Sequence, residues 1–148
     1  MEATNQSLEF EELNLFRQIK KELSVESPQE VIQLVASVLQ ALRQTLTLQS
    51  ANAFLNNLPD FLKLTFASNW RQNEEQVRIE HLDEFVSLVM ARDKRNKKYL
   101  FKSEVYTLSV IILTLKKLYK LIDLDKFEGL SQAFRQELRD VPAEAVAA

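Results

Sequence analysis

The side chains best suited to acid–base or metal chemistry lie together in the stretch EHLDE, Glu80 to Glu84, which contains the only histidine of the chain. His81 and Glu84 are three residues apart, so on a helix their side chains would share one face. A carboxylate-bridged di-metal site needs two Glu-x-x-His elements, and a zinc site needs more imidazole or thiolate ligands than one His and no Cys can supply. We therefore predict no metal and no cofactor, and place His81 at the exposed start of an acid-rich helix.

Nucleophilic catalysis has little support in the sequence. It needs a Ser or Thr activated by a base that a third group orients, and the single histidine limits that arrangement. The carboxylates Asp123 and Asp125 could in principle transfer protons, but their position at a helix start favours capping. We therefore predict that the protein is not an enzyme and has no catalytic residues. A carboxylate-lined pocket between helices stays open as the enzymatic alternative.

A basic stretch, ARDKRNKKYLF at residues 91–101, is the most site-like segment of a chain whose formal charge is −2. Cations beside Tyr99 and Phe101 could bind an anionic group and stack on a base. The candidate anion contacts are Arg92, Lys94, Arg95, Lys97 and Lys98. The acidity of the whole chain favours the other interpretation, a solvated loop from Arg92 to Lys102 that few contacts hold and that is therefore mobile.

A second site-like feature is the pair Trp70-Arg71, which contains the only tryptophan and lies at the start of a polar connector. An indole beside a guanidinium could hold a ligand by stacking. The alternative is that Trp70 packs in the interior, as large amphipathic rings usually do in small proteins. We favour packing, at the junction between two halves of the chain.

The composition limits the folds that could position these side chains. One Gly and three Pro in 148 residues leave little material for hairpin turns, phosphate-binding loops or dinucleotide-binding loops, which need backbone at positive φ. Apolar runs such as Val110 to Leu113 are far shorter than the ~20 residues that span a bilayer, and the acidic N-terminus lacks the pattern of an export signal. We therefore predict a helical, soluble, cytoplasmic protein without membrane insertion. The alanine-rich tail at residues 143–148 should add little to the core.

Hydrophobic residues recur at helical spacing along most of the chain. Ser27, followed by Pro28 and then Glu30, has the pattern of an N-cap, so we predict a long helix from residue 28. Thr47 is placed to cap a following helix that ends near Pro59, where a further short helix begins. A shorter amphipathic helix comes first in the chain, and its apolar residues are Leu8, Leu13, Phe16, Ile19 and Leu23.

The apolar pattern of residues 32–62 recurs 76 residues later without gaps. Ten apolar positions match in this frame, among them Leu39 with Leu115. We therefore predict one domain of 148 residues. Its fold class is all-α, a helical bundle built from two similar multi-helix units in tandem. Unit one covers about residues 8–70 and unit two about residues 79–141.

Three short stretches resemble a known family. Unit one contains NNLPDFLKLTF followed by ASNW, and unit two opens with HLDEFVSLV. A long helix, a short helix that ends at the Leu58-Pro59 turn and an aromatic close resemble the bacterial family catalogued as domain of unknown function 2267, over roughly residues 8–141. The resemblance implies an all-α tandem repeat, but no reaction and no site residue. The sequence departs from the family at Phe134-Arg135, where Leu-Pro would recur, so we expect continuous helix there.

The helix predicted from Glu104 to Ile122 has apolar residues on two sides. One side is the core face of its unit, and the opposite stripe consists of Tyr106, Val110, Leu113 and Leu121. Burying each such side chain contributes roughly 1.5–3 kcal/mol, so we expect the first unit or a second subunit to cover the stripe. The stripe is thus a candidate partner contact.

The function that we predict is a non-catalytic protein-interaction module, whose partner is another protein or a second copy of the chain. The alternative is weak binding of nucleic acid or anionic surfaces through the basic stretch Arg92 to Lys102. Nucleic acid is disfavoured as a partner because the basic residues are few and the chain as a whole is acidic.

Overall fold

The computed structural model describes residues 14–71 and 74–141 of the chain. Within them the helices are α1 (residues 14–23), α2 (Pro28–Thr45), α3 (Leu48–Asn57), α4 (Asp60–Ala67), α5 (Leu82–Arg95), α6 (Glu104–Tyr119) and α7 (Gln132–Asp140). One turn of 3₁₀-helix, Leu124–Lys126, precedes α7. The predicted all-α helical bundle is confirmed, whereas its division into two tandem units stays a prediction.

Side-chain caps determine where several helices begin. Ser27 Oγ accepts a hydrogen bond from the backbone N–H of Glu30 and caps α2, as the sequence predicts. Thr47 caps α3 in the same way, and Asp123 caps the 3₁₀ turn. Helix α7 is continuous through residues 134–135, where the sequence departs from the family pattern. These features were predicted correctly because they depend on residues that are close in the chain.

Helices α2 and α6 form the centre of the bundle. α2 contacts α4, α5 and α6, and α6 also contacts α5. Every residue from Ser109 to Leu115 is buried, so α6 is covered on all its sides over two turns. A helix that is apolar all round is typical of one surrounded by protein. α6 ends at Tyr119, earlier than the predicted end at Ile122.

The apolar stripe on α6 is covered largely by the chain itself. Val110 is 0% exposed and Leu113 is 2% exposed, while Tyr106 and Leu121 are partly buried. The expected cover of the stripe is therefore observed for Val110 and Leu113, and it comes from within the chain, because α6 lies between other helices. These two residues consequently offer no surface to a partner in this structure. Lys117, which borders the stripe, forms an ion pair of 3.4 Å with a glutamate of α1.

The only glycine of the chain lies where one backbone segment meets another. Gly129 has φ +123°, and a Cβ placed on it would lie 2.5 Å from the Thr45 carbonyl oxygen and 2.8 Å from Leu46 Cα. A side chain here would strain the backbone and clash with the end of α2. The next residue, Leu130, forms an isolated parallel β-bridge with Ile79. The segment before α7 is thus packed against both α2 and the segment before α5.

Some sequence predictions concern residues outside the described part of the chain. These are Leu8 and Leu13 of the first amphipathic helix and the tail at residues 143–148. Within the described part of α1, Leu15 and Ile19 are buried in the core. Among the described helices, none is both long enough and apolar enough to cross a lipid bilayer.

Candidate functional site

The basic stretch is divided between the end of α5 and the turn that follows. α5 continues to Arg95, so the predicted loop beginning at Arg92 is wrong at its start. Helical spacing explains the difference, because Phe85, Val89 and Arg92 recur at intervals of three or four residues and all three are buried. The helix therefore keeps one face in the interior for another turn.

Asp93, a buried carboxylate, holds the remainder of the stretch in place. Its two oxygens accept hydrogen bonds from the backbone N–H groups of Leu100 (3.1 Å) and Phe101 (2.9 Å). Between these points the chain reverses through Lys97 and Tyr99, which have φ of +57° and +53°. Phe101 is itself buried in the core. The expectation that few contacts hold this stretch is therefore wrong.

The five predicted anion contacts do not form one surface. Arg92, Arg95 and Lys98 line a cleft of about 1030 Å³ between α2, the connector from α4 to α5, and the end of α5. Lys94 lines a different hollow of about 490 Å³. Lys97 is exposed and lines neither cavity. Helix geometry explains part of this division, because Arg92 and Arg95 are three residues apart and share a face of α5.

The same cleft contains the other site-like feature of the sequence. Trp70 and Arg71 of the connector line it together with the residues from the end of α5. The charged side chains of the lining are four cations against two carboxylates, a net charge of +2, and they are Arg71, Arg92, Arg95, Lys98, Glu74 and Glu75. The tertiary structure thus brings together two motifs that are far apart in the sequence.

Trp70 is half-buried and contributes both to packing and to the cleft. Its ring lies edge-on to Phe66, with centroids 5.9 Å apart. The guanidinium carbon of Arg43 lies 5.5 Å from the indole centroid, in cation–π range. Trp70 therefore packs as favoured, but against Phe66 and Arg43 of its own half of the chain rather than across the junction. The remaining indole surface is part of the cleft wall.

Two guanidinium groups share one carboxylate beside Trp70. Glu74 Oε1 lies 2.6 Å from Arg92 Nη1, and Glu74 Oε2 lies 3.5 Å from Arg43 Nη2. The residues Arg43, Glu74 and Arg92 are termed the Glu74 cluster. All three are largely shielded from solvent, and Arg43 is the most buried, with 1% of its side chain exposed. The cluster therefore has an excess of one positive charge in a mostly desolvated position.

Arg43 is held by the backbone that follows α4. Its Nη1 donates hydrogen bonds to the carbonyl oxygens of Phe66 (2.7 Å) and Ser68 (3.0 Å). Its Nε has no hydrogen-bond partner among the described residues. Burial lowers the pKa of the Arg43 guanidinium from its ordinary value, Arg92 acts in the same direction, and Glu74 opposes both. The bonds to the backbone orient a charge that burial alone would disfavour.

Arg43 and Glu74 were not recognised in the sequence as site residues. A signal for Arg43 exists, because it lies four residues after Leu39 and three before Leu46, on the apolar face of α2. A cation at such a position must be buried with a partner. No comparable signal exists for Glu74, which lies in an irregular connector.

Arg92 is 8% exposed and uses only part of its hydrogen-bonding capacity. Its Nη1 donates to Gln44 Oε1 and to Glu74 Oε1. The Nε and Nη2 donors of Arg92 bond none of the described residues. A nearly buried guanidinium therefore has one donor edge without a partner among the described residues, on a side chain that lines the cleft.

The rim of the cleft differs from the Glu74 cluster in being open to solvent. Arg71, Arg95 and Lys98 are exposed and form no ion pair with any described residue. The amides of Asn69 and Asn96 lie beside them and offer both donors and acceptors. The rim can thus attract anionic groups, although solvent and salt screen its charges.

His81 lies apart from this cleft, at the N-cap of α5. Its side chain is half-exposed, as predicted, and its Nδ1 lies 3.0 Å from Glu137 Oε1 of α7. This hydrogen bond is the main cause of a raised pKa for His81. In the described ranges, no group of three or more His, Asp or Glu side chains is placed to hold a metal ion.

Asp125 belongs to a second group of charges near α7. It accepts a hydrogen bond of 2.9 Å from the Tyr119 hydroxyl, pairs with Arg139, and lies 3.8 Å from Arg135 Nε. The residues Asp125, Arg135 and Arg139 are termed the Asp125 cluster. Burial, followed by the bond to Asp125, raises the pKa of Tyr119 to about 12. The capping predicted for both aspartates is thus confirmed for Asp123 and wrong for Asp125, which binds side chains instead.

Comparison with known proteins gives a family for the chain. The model of the family described as "Uncharacterized conserved protein (DUF2267)" matches residues 14–141. The match covers most of the chain and confirms the resemblance recognised in the sequence. Among curated proteins, none matches this chain.

Proposed function

This chain belongs to the DUF2267 family, whose description names no activity, and we propose its function from the geometry of the cleft. The protein is a non-catalytic interaction module that binds an acidic segment of a partner protein between α2, the connector and α5. One observation supports this above all: four cationic side chains and Trp70 line a single cleft of about 1030 Å³.

The charge and size of the cleft favour an acidic peptide. A net charge of +2 in the lining complements a short segment with several carboxylates, which favours both fast association and specificity. The volume is at the upper end of the range of ~300–1,000 Å³ that holds small ligands, so there is room for several side chains. Asn69 and Asn96 can bond peptide backbone, and Trp70 provides an apolar wall.

The nucleic-acid alternative would use the same cations together with stacking on Trp70. Affinity for nucleic acid grows with the number of phosphates neutralised along a strand. Here the cations are gathered in one concave site, two carboxylates lie among them, and the whole chain has a charge of −2. These features favour a peptide over an extended polyanion.

The enzymatic alternative would use the carboxylates of the same cleft. Glu74 is already engaged by two guanidinium groups. His81, the only imidazole, lies at the start of α5 and does not line the cleft. General acid–base catalysis needs a proton-transferring group within reach of the substrate. The arrangement therefore favours binding without catalysis.

A titration followed by the fluorescence of Trp70, the only tryptophan, tests the proposal. We expect a short glutamate homopeptide to change the emission, and a glutamine homopeptide of the same length to leave it unchanged. The double variant Arg95→Glu, Lys98→Glu should bind the glutamate peptide at least about tenfold more weakly. Each exposed ion pair contributes up to ~1 kcal/mol, and charge reversal adds repulsion to that loss.

The matched control is the double variant Lys21→Glu, Lys126→Glu. It reverses two exposed cations that do not line the cleft, so it changes the net charge equally. Equal weakening in both double variants would mean non-specific attraction and would contradict the proposal. A single-stranded oligonucleotide that binds more tightly than the glutamate peptide would favour the nucleic-acid alternative instead.

A further inference from the structure

Arg92, in the wall of the cleft, has donors that the described chain does not satisfy. It is 8% exposed, and both of its hydrogen bonds use Nη1. The Nε and Nη2 donors form the other edge of the same planar fork. Among the buried side-chain atoms of the Glu74 cluster, only Arg43 Nε lacks a hydrogen-bond partner, so Nε and Nη2 of Arg92 keep contact with solvent. This edge of Arg92 is therefore open to a ligand in the cleft, while the rest of the side chain is largely buried.

The charge balance of the Glu74 cluster also indicates that a ligand carboxylate would bind at the free edge of Arg92. Arg43 and Arg92 share the single carboxylate of Glu74, so one positive charge is left without a counter-ion in the cluster. Buried charges are normally paired. One further carboxylate at the free edge of Arg92 would both balance the charge and accept two hydrogen bonds.

The orientation of this edge is set before any ligand arrives. Gln44 on α2 and Glu74 on the connector both accept from Nη1, so the guanidinium plane cannot turn without breaking contacts to two different elements. A donor pair that is already oriented loses little entropy when it binds. The rim cations have no such contacts with described residues, so they supply attraction rather than geometry.

Building on the proposed function, we propose that Arg92 is the carboxylate-recognition residue of the cleft. It binds one carboxylate of the acidic segment through Nε and Nη2 in a bidentate pair. Glu74 and Gln44 are positioning residues that hold the guanidinium by Nη1. Arg95 and Lys98 attract the neighbouring acidic residues of the segment.

Glu74 has a second effect on the same site, because its charge opposes that of the ligand. It neutralises part of the charge of Arg92 and repels an incoming carboxylate across the guanidinium. Removal of this charge should therefore strengthen ligand binding. A gain of affinity is a result that a purely structural role of Glu74 would not produce.

The test uses the full chain, the glutamate peptide and the fluorescence of Trp70. Arg92→Lys keeps the charge and removes the planar fork, and should weaken binding about tenfold. Glu74→Gln should strengthen binding about threefold or more. Because partial unfolding cannot increase affinity, the second variant keeps the test decisive even if Arg92→Lys folds poorly.

The control variants are Arg139→Lys and Asp125→Asn, which make the same chemical changes outside the cleft and should leave the affinity unchanged. Equal affinity of Arg92→Lys and wild type, or weaker binding by Glu74→Gln than by wild type, would overturn the role of Arg92. A charge-matched phosphoserine peptide that binds more than about tenfold tighter would overturn the choice of a carboxylate.

The two proposals fail in different ways. If the wild-type protein does not bind the glutamate peptide, the proposed function itself fails. The other case is that the double variant with reversed Arg95 and Lys98 binds more weakly, while the variants of Arg92 and Glu74 bind like wild type. The proposed function is then retained, and the role assigned to Arg92 is wrong.

Discussion

The Glu74 cluster and the Asp125 cluster each consist of two arginines and one carboxylate, but they differ in exposure. In the Asp125 cluster Arg139 is 53% exposed, whereas only 1% of the Arg43 side chain in the Glu74 cluster is exposed. Asp125 also accepts a hydrogen bond from the Tyr119 hydroxyl, although its cluster has the same excess of one positive charge. The Glu74 cluster instead lies beside a cleft, and the Nε and Nη2 donors of its Arg92 bond no described residue.

This difference shows why the types of residue do not identify a site by themselves. In the Asp125 cluster Arg139 is exposed, so water screens its ion pair with Asp125 and that pair contributes little. In the Glu74 cluster, which is largely shielded from solvent, water compensates less well for the missing negative charge. An incomplete cluster is informative about a ligand only when it is also desolvated.

The largest expected effect is on the stability of the protein when one arginine of each cluster is replaced. Arg43→Met should lower the free energy of unfolding by about 2–4 kcal/mol, because two backbone carbonyls lose their donor. Arg139→Met should cost at most ~1 kcal/mol, because its ion pair is exposed. Urea denaturation followed by far-UV circular dichroism measures both values. Losses of similar size in the two variants would remove the distinction between the clusters.

A second prediction concerns Tyr119, which donates to the Asp125 cluster, and the dependence of stability on pH. The pKa of Tyr119 is raised to about 12 in the folded protein, from an ordinary value of 10. A raised pKa in the folded state stabilises the protein below pH 10, and this contribution is lost as the pH rises from 10 through 12. Asp125→Asn should lower the pKa of Tyr119, because a phenolate beside a neutral amide is not repelled.

The measurement for Tyr119 is an absorbance titration of the phenolate. The chain has three tyrosines, so the difference between wild type and Tyr119→Phe isolates the required signal. A difference spectrum that titrates at the ordinary pKa of tyrosine would contradict both the burial of Tyr119 and its hydrogen bond to Asp125.

The smallest expected effect comes from the solvent-exposed pair of His81 and Glu137. The hydrogen bond to Glu137 raises the pKa of His81 above its ordinary value of 6.5. This pair therefore stabilises the docking of α7 fully below pH 6.5 and loses that effect as the pH rises through the folded-state pKa. Because the chain has one histidine, a single NMR resonance reports the titration. An identical pKa in Glu137→Gln would contradict the contact.

Features that depend on near neighbours in the chain could be predicted from the sequence. Ser27 and Thr47 were recognised as caps because the donor of a capping bond lies three residues away. The ordered turn after α5 was missed because it depends on Asp93, which accepts hydrogen bonds from the backbone of residues 100–101 only after the chain has turned back. The charges of the basic stretch suggested a loop, whereas its buried positions extend the helix.

The candidate site was predicted only in fragments. Arg92, Arg95 and Lys98 were named with two further cations, and the Trp70-Arg71 pair was named separately. Nothing in the sequence places these fragments together, because their proximity depends on the contact of α2 with α5 and on the path of the connector. Glu74 could not be identified, since the spacing of an irregular segment does not encode its partners.

The sequence by itself determined that the protein is helical and where most helices begin, because hydrophobic periodicity and caps act over three or four residues. It also determined the family. Only the tertiary structure decided which charges are buried, which are paired and which face a cleft. Solvation is the physical reason: the same guanidinium is an ordinary surface charge in water and an unsatisfied donor in the interior, and burial depends on residues that are distant in the chain.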